Sequence, residues 1–228
     1  MRRLSGALGI GAPVLAVSVV LVGGLVTPGY DPVRRTISRL AEPGLPAALA
    51  VGSAIFLVGL ALLGLAVALG PRAVAGRVLL GIAGASLLVA AAVPLDPASE
   101  RASTVHRVAT TIAMLALVSG PLVFAPSLRR REGWRGYGAL SFGLGAVAIG
   151  VLLIGFALLP TTFAVGAWER CFLALPMAWM VLVSARLLRT SSTEPILAST
   201  AENSSWPATV SAQETMKAAA ASANNSRL

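Results

Sequence analysis

The chain has 228 residues, of which 56% are hydrophobic and 12% are charged, with a formal net charge of +9 and a mean hydropathy of +0.82. Soluble domains carry about 25% charged residues, so this composition excludes a water-soluble fold and predicts an integral membrane protein. The basic excess is almost entirely arginine, in short clusters between apolar runs. That arrangement is typical of membrane topology signals, and we therefore expect no nucleic acid partner.

Six apolar segments are long enough, or nearly so, to cross the hydrocarbon core, which takes about 20 residues. They cover residues 7–27, 46–69, 78–95, 108–125, 137–159 and 171–188. We therefore predict an all-α, polytopic membrane bundle of six transmembrane helices, in a domain over residues 1–189. The first segment has no clear cleavage site after it, so we interpret it as an uncleaved span. Gly81 and Ala85 have small-xxx-small spacing, which we interpret as helix packing.

The first loop, residues 29–46, is predicted to contain a short amphipathic helix. Asp31 followed by Pro32 is a favourable helix start, and Val33, Ile37 and Leu40 form one apolar stripe. Such a helix would lie at the membrane surface and cover the end of the bundle. Alternatively, its arginines bind an anionic group, such as a lipid phosphate or a carboxylate.

The second loop leaves three interpretations open. Asp96 follows the third span and His106 precedes the fourth. The two side chains could ligate one metal, act as an acid/base pair in catalysis, or hydrogen-bond and hold two helix ends together. A metal usually needs three or four ligands, and the chain has one histidine and one cysteine, Cys171. We expect no metal and no cofactor.

The third loop leads into an adjacent acid and base, Glu169 and Arg170, at the start of the sixth span. Such a pair can bond to other helices at the same end of the bundle. Arg35, Arg39 and Asp96 are its possible partners.

The orientation follows from the arginines near the span ends. If the N-terminus is inside, ten arginines lie on the cytoplasmic side and six outside. This bias predicts a multi-pass protein of the bacterial inner (plasma) membrane with both termini in the cytoplasm, and it makes the first loop extracytoplasmic. The segment 190–228 is rich in Ser, Thr, Ala and Asn and is predicted to be a disordered cytoplasmic tail.

Three of these motifs together resemble the family called domain of unknown function 998 (DUF998). They are a tyrosine-containing first loop with Ile37-Ser38-Arg39-Leu40, the Asp96 and His106 pair, and Glu169-Arg170 with a later tryptophan, Trp179. The resemblance covers about residues 4–188. The family often has Ser-Glu-Leu-Gly at the first motif, whereas here an arginine follows the serine and the acid is Glu42. The family's name assigns no activity, so the resemblance implies the architecture and the positions of a site.

We therefore expect a polar site at the extracytoplasmic end that binds a small anionic or lipid-headgroup ligand. One alternative is a lipid-modifying membrane enzyme with His106, and with Asp96 as a second catalytic candidate. Another is a structural or accessory subunit in which the same residues only hold helix ends together. The expected partners are the lipid bilayer and that ligand, and the sequence indicates no particular protein partner. The predicted ligand-binding residues are Tyr30, Asp31, Arg35, Ser38, Arg39, Asp96, His106, Glu169 and Arg170.

Overall fold

The computed structural model describes residues 2–70, 73–158 and 164–204. Within these ranges the chain forms six α-helices and one 3-10 helix at Ile37–Ala41, with no strand. The all-α prediction is therefore confirmed. The α-helices are α1 (Arg2–Val26), α2 (Ala48–Ala68), α3 (Val74–Ala92), α4 (Glu100–Arg129), α5 (Arg135–Leu158) and α6 (Val165–Ser204).

All six α-helices are long and apolar enough to cross a membrane. They also expose large aliphatic side chains: Leu21 is 62% exposed, Leu49 84% and Leu153 61%. A soluble bundle would bury such residues, because apolar surface in water is unfavourable. The protein is therefore a multi-pass helical membrane protein, and the predicted number of six spans is confirmed.

α4 and α6 begin furthest ahead of the apolar runs that predicted them, and both carry polar site residues. α4 begins at Glu100 because the hydroxyl of Ser99 accepts a hydrogen bond from the backbone N–H of Ala102 at 3.2 Å, which caps the helix. α6 begins at Val165. As a result, His106 and Glu169 lie within helices, and these helices fix the directions of their side chains.

The chain divides into two compact units, Met1–Leu188 and Arg189–Leu228. The predicted tail, residues 190–228, begins within α6, which is helical to Ser204. Its residues 205–228 lie outside the described part of the chain, and its disorder stays a prediction.

In the first unit, each helix from α1 to α5 packs against the next one along the chain. α6 packs against α5, where the indole N–H of Trp179 donates to the hydroxyl of Ser141 at 2.8 Å. It also packs against α1, where Gly9 lies directly over Ser184. The six helices thus share one buried core, which includes Leu62, Leu80 and Trp179.

α2 and α3 approach most closely at two glycines. A Cβ atom at Gly59 would lie 2.9 Å from the carbonyl oxygen of Gly84, and one at Gly84 would lie 2.7 Å from that of Gly59. Gly81, by contrast, has open space where its Cβ would be. The packing role that its spacing suggested is therefore wrong among the described residues, because no neighbouring helix lies within 4 Å of that position.

The helix predicted in the first loop is shorter than expected and is a 3-10 helix. Asp31 accepts hydrogen bonds from the backbone N–H groups of Val33 (2.8 Å) and Arg34 (3.2 Å), which closes a turn in place of a helix start. The regular helix begins only at Ile37. Val33 is consequently exposed, whereas Leu40 is fully buried and anchors the loop in the bundle.

Candidate functional site

The polar residues predicted from the sequence gather at one end of the bundle. We call this the first-loop end and define it by the α1–α2 connection (27–47), the α3–α4 connection (93–99) and the first turn of α6 (165–170). The antiparallel order of the helices brings these segments together. The hydrogen bonds among the side chains of these segments determine which of them can contact a ligand.

Arg170 holds the first loop against α6. Its Nη1 donates to the carbonyl oxygens of Pro32 at 2.7 Å, Arg35 at 3.2 Å and Gly166 at 2.9 Å. Its Nη2 donates to the hydroxyl of Tyr30 at 2.6 Å. The planar guanidinium suits this task, because it offers several donors in a fixed geometry. Arg170 is therefore committed to loop carbonyls and is not free for a ligand.

Tyr30 completes this contact from the loop side. Its hydroxyl lies 3.0 Å from the carbonyl oxygens of Arg35 and Thr36, to which it donates. Burial raises the pKa of the Tyr30 phenol above its usual value of 10.0, and the hydrogen bond from Arg170 opposes that shift. The phenol is thus protonated at neutral pH, as donation to a carbonyl requires.

Glu169 is buried, being 5% exposed. Its Oε2 accepts a hydrogen bond from the backbone N–H of Ile37 at 2.5 Å. This N–H is the first of the 3-10 helix and has no partner inside that helix. Glu169 therefore caps the 3-10 helix from α6 and fixes the position of the next residue, Ser38.

His106 is the most buried of the predicted site residues, at 2% exposure. Its Nδ1 lies 3.0 Å from the carbonyl oxygen of Ala90 and 2.9 Å from that of Val93, and its Nε2 lies 3.0 Å from the hydroxyl of Ser38. Carbonyl oxygens only accept, so Nδ1 carries the proton and the lone pair of Nε2 accepts from Ser38. His106 thereby joins the end of α3 to the first loop.

Asp96 does not pair with His106 in the described part of the chain. Its carboxylate accepts from the backbone N–H of Ala98 at 2.9 Å, and its backbone exchanges hydrogen bonds with the hydroxyl of Ser103. Among the described residues, no group of three or more His, Cys, Asp or Glu side chains could hold a metal. Asp96 and His106, which the sequence suggested as one site, thus have different hydrogen-bond partners.

Two further pairs of charges form within the first loop. Arg39 bonds to Glu42 at 2.5 Å, so the acid three residues on neutralises the arginine that follows Ser38. Asp31 lies 3.5 Å from Arg34. Neither pair crosses to another helix.

A cleft of about 760 Å³ opens between the first loop, α4 and the start of α6. Five of the nine predicted ligand-binding residues line it, whereas Tyr30 and Arg170 hold the loop behind it. The five are Arg35, Ser38, Arg39, His106 and Glu169, and the other lining residues are Arg34, Thr36, Glu42, Leu95, Arg107, Thr110, Thr111, Met114, Val165 and Trp168.

The cleft follows α4 from its polar end towards its apolar middle. His106, Thr110 and Met114 line it at successive turns, a length of about 12 Å at 1.5 Å per residue. Arg107 and Thr111 lie beside them on the exposed side of the helix. The cleft is therefore polar at its mouth and opens onto the outer surface of α4.

The positive charge of the cleft exceeds its negative charge. Four arginines line it against two glutamates, Glu42 and Glu169. The guanidinium groups of Arg35 and Arg107 are exposed and make no hydrogen bond or ion pair with the described residues. An anion in the cleft can bind either group without displacing a hydrogen-bond partner among the described residues.

Three further residues line the cleft that were not predicted from the sequence as site residues: Arg107, Thr110 and Trp168. Trp168 donates from its indole to the carbonyl oxygen of Val151 at 2.8 Å, and Gly155 leaves room for the ring. The pair Thr110-Thr111 in an apolar span was the available signal, since polar residues there usually face a cavity or another helix. Arg107 directly precedes the fourth predicted span and is one of the six arginines predicted to lie outside.

Residues 10–186 match a family model described as "Protein of unknown function (DUF998)". No curated protein and no solved structure matches the chain.

Proposed function

Because the chain belongs to the DUF998 family, whose description assigns no activity, we propose a function from the site itself: the cleft binds the phosphate-bearing headgroup of an anionic lipid. The observation that carries this proposal is that Arg35 and Arg107, both exposed, line the same cleft beside α4. Arginine binds phosphate oxygens through two parallel N–H donors. A ligand held there has its charge at the mouth of the cleft.

The shape of the cleft favours a lipid over a free anion. Along α4 the lining becomes apolar at Met114, two turns beyond Arg107, and Val165 and Trp168 add apolar surface from the start of α6. An acyl chain can lie against these residues and continue along the exposed aliphatic surface of α4, where Val108 and Leu115 are 54% and 51% exposed. A free phosphate would use only the mouth.

The arginine count supports an orientation for this site. Excess arginine beside the opposite ends of the helices indicates that those ends are cytoplasmic. The first-loop end then faces outwards from a bacterial plasma membrane, the headgroup lies in its outer leaflet, and the segment 190–228 forms a cytoplasmic tail.

Binding is tested on the full chain by native mass spectrometry, with phosphatidylglycerol and phosphatidylcholine as probes. We expect preferential binding of phosphatidylglycerol, weakened about tenfold in each of Arg35→Gln and Arg107→Gln, because losing a charged hydrogen bond costs about 1.5–3 kcal/mol. Arg101→Gln is the matched control, since Arg101 is exposed on the same helix and is not a cleft residue.

Three results would contradict the proposal or change its ligand. Equal binding of the two lipids removes the anionic selectivity. An equal loss of lipid binding in Arg101→Gln would show that only the overall charge matters. The polar residues of the first-loop end would then only hold helix ends together, as in a structural subunit. Competition by glycerol phosphate at the same concentration as the lipid identifies a free phosphate ester as the ligand.

A further inference from the structure

Ser38 and His106 have the geometry of a nucleophile beside its base. The hydroxyl oxygen of Ser38 lies 3.0 Å from Nε2 of His106, within the reach that a general base requires. The two residues are 68 positions apart in the chain. The 3-10 helix positions one, α4 positions the other, and Glu169 fixes the loop that carries the serine.

The other nitrogen of the imidazole supplies the orientation that such a base needs. Nδ1–H donates to the carbonyl oxygens of Ala90 and Val93, which belong to the last turn and the C-cap of α3. Carbonyls at a helix C-terminus lack partners within the helix, so this contact explains why Nδ1 is protonated. The contact at Nδ1 does not explain why Nε2 accepts from the hydroxyl of Ser38, which can transfer its proton to that nitrogen.

The pair is accessible to a ligand in the cleft. Ser38 and His106 both line it, together with the exposed arginines Arg35 and Arg107. Guanidinium groups in such a position can stabilise the negative charge that develops on a carbonyl oxygen under attack. A nucleophile, an oriented base and a source of positive charge therefore meet at one opening.

We propose that Ser38 and His106 cleave a carboxylic ester of the lipid bound in the cleft. This choice of substrate rests on the proposed function, because the acyl esters of a phospholipid lie close to its phosphate. The Ser38 oxygen bonds to the ester carbonyl carbon as its proton passes to Nε2 of His106. The bond to the glycerol oxygen then breaks, and Nε2–H protonates that oxygen.

Water is the second reactant and restores the enzyme. It loses a proton to Nε2, and its oxygen adds to the acyl group on Ser38. The bond between the acyl carbon and the Ser38 oxygen breaks, the serine recovers its proton from His106, and a fatty acid leaves. The net reaction is ester plus water to acid plus alcohol, with no metal or redox partner.

The first test is labelling of the full chain in detergent with a small fluorophosphonate, which bonds to an activated serine and releases fluoride. We expect the adduct on Ser38, located by mass spectrometry of the digested protein, and its loss after heat denaturation. An intact, folded protein with no adduct on Ser38 would overturn the proposal. So would equal labelling of Ser38 before and after denaturation.

Two variants separate catalysis from structure. His106→Gln should slow the labelling of Ser38 about 100-fold, because a positioned general base contributes about 10²–10⁴. Ser103→Ala is the control and should label as the wild type does, since Ser103 bonds to Asp96 and is not a cleft residue. Undiminished labelling in a folded His106→Gln protein contradicts the role of the base; if this variant does not fold, the denaturation comparison decides.

The substrate is tested by fatty acid release from phosphatidylglycerol in nanodiscs, which should occur with the wild type and be lost in Ser38→Ala. Release that persists in Ser38→Ala overturns the assignment. The probe carries no lipid, so the two proposals fail separately. Labelling of Ser38 without selective lipid binding removes the proposed function alone, whereas lipid binding without labelling removes the catalytic pair alone.

Discussion

At the scale of single residues, the side chains of the first-loop end chiefly bind backbone atoms. Arg170 and Tyr30 bind carbonyl oxygens of the loop, Glu169 binds the N–H of Ile37, and His106 binds the end of α3. Near the membrane such groups must be paired, because unpaired polar groups are costly there. These residues therefore fix the path of the loop and leave Arg35 and Arg107 available.

Replacing Glu169 tests whether these hydrogen bonds stabilise the first loop. We expect Glu169→Ala to lower the free energy of unfolding by about 1–3 kcal/mol, since the buried N–H of Ile37 loses its acceptor. Glu169→Gln should cost less, because its amide oxygen can still accept. Unfolding in detergent titrations measures both. Equal losses in the two variants would contradict the role given to the hydrogen bond.

Tyr30→Phe removes one hydroxyl group, and its effect on stability should depend on pH. We expect the free energy of unfolding to fall by about 1–3 kcal/mol near neutral pH. The folded pKa of Tyr30 is raised above 10.0, so its contribution is present below that pH and disappears as the pH rises through the raised pKa. The stability difference between wild type and variant should hold between about pH 7 and pH 9 and narrow at higher pH. A difference that already shrinks below pH 9 would contradict this.

At the level of the helices, close approach depends on where along a helix a glycine meets its neighbour. Gly59 and Gly84 allow α2 and α3 to touch backbone to backbone, whereas Gly81 faces open space. Spacing alone did not distinguish them, because small residues are frequent throughout the spans. A glycine is needed for packing only where a neighbouring helix contacts it, and the spacing of small residues does not reveal where that is.

Gly84→Ala should therefore destabilise the bundle by about 1–3 kcal/mol, the usual cost of overpacking. Gly81→Ala, three residues away on the same helix, should cause no loss. Thermal unfolding of the two variants in one detergent gives the comparison. Similar melting temperatures for both would mean that α2 and α3 do not cross at Gly84.

Much of the helical architecture could be predicted from the sequence, and the detail of the site could not. The apolar runs indicate the number of helices. Ser99-Glu100 is a recognisable helix cap, but the charged residues after it interrupt the apolar pattern, so the first two turns of α4 were not predicted. Loop counting placed Asp96 and His106 at one end. Their expected pairing failed because the carbonyls at the end of α3 lie closer to the imidazole, and loop paths cannot be deduced from residue types.

Over the bundle as a whole, the two ends carry different features. One carries the cleft; the other carries arginines in the α4–α5 connection, among them Arg130 and Arg131. The proposed orientation places the cleft outside the cytoplasm, where its lipid would be that of the outer leaflet.

Cysteine labelling in intact cells tests this orientation. In a Cys171→Ser background, Ala98→Cys and Glu132→Cys place one exposed thiol at each end. We expect a membrane-impermeant maleimide to label Ala98→Cys directly and Glu132→Cys only after permeabilisation. The reverse pattern would put the cleft in the cytoplasm.

The most direct measurement of lipid binding is an experimental structure of the full chain in nanodiscs that contain phosphatidylglycerol. We predict a headgroup phosphate between Arg35 and Arg107, with acyl-chain density descending along α4 past Thr111 and Met114. A well-ordered bundle whose cleft holds only water, or is closed by contact of the first loop with α4, would contradict the account.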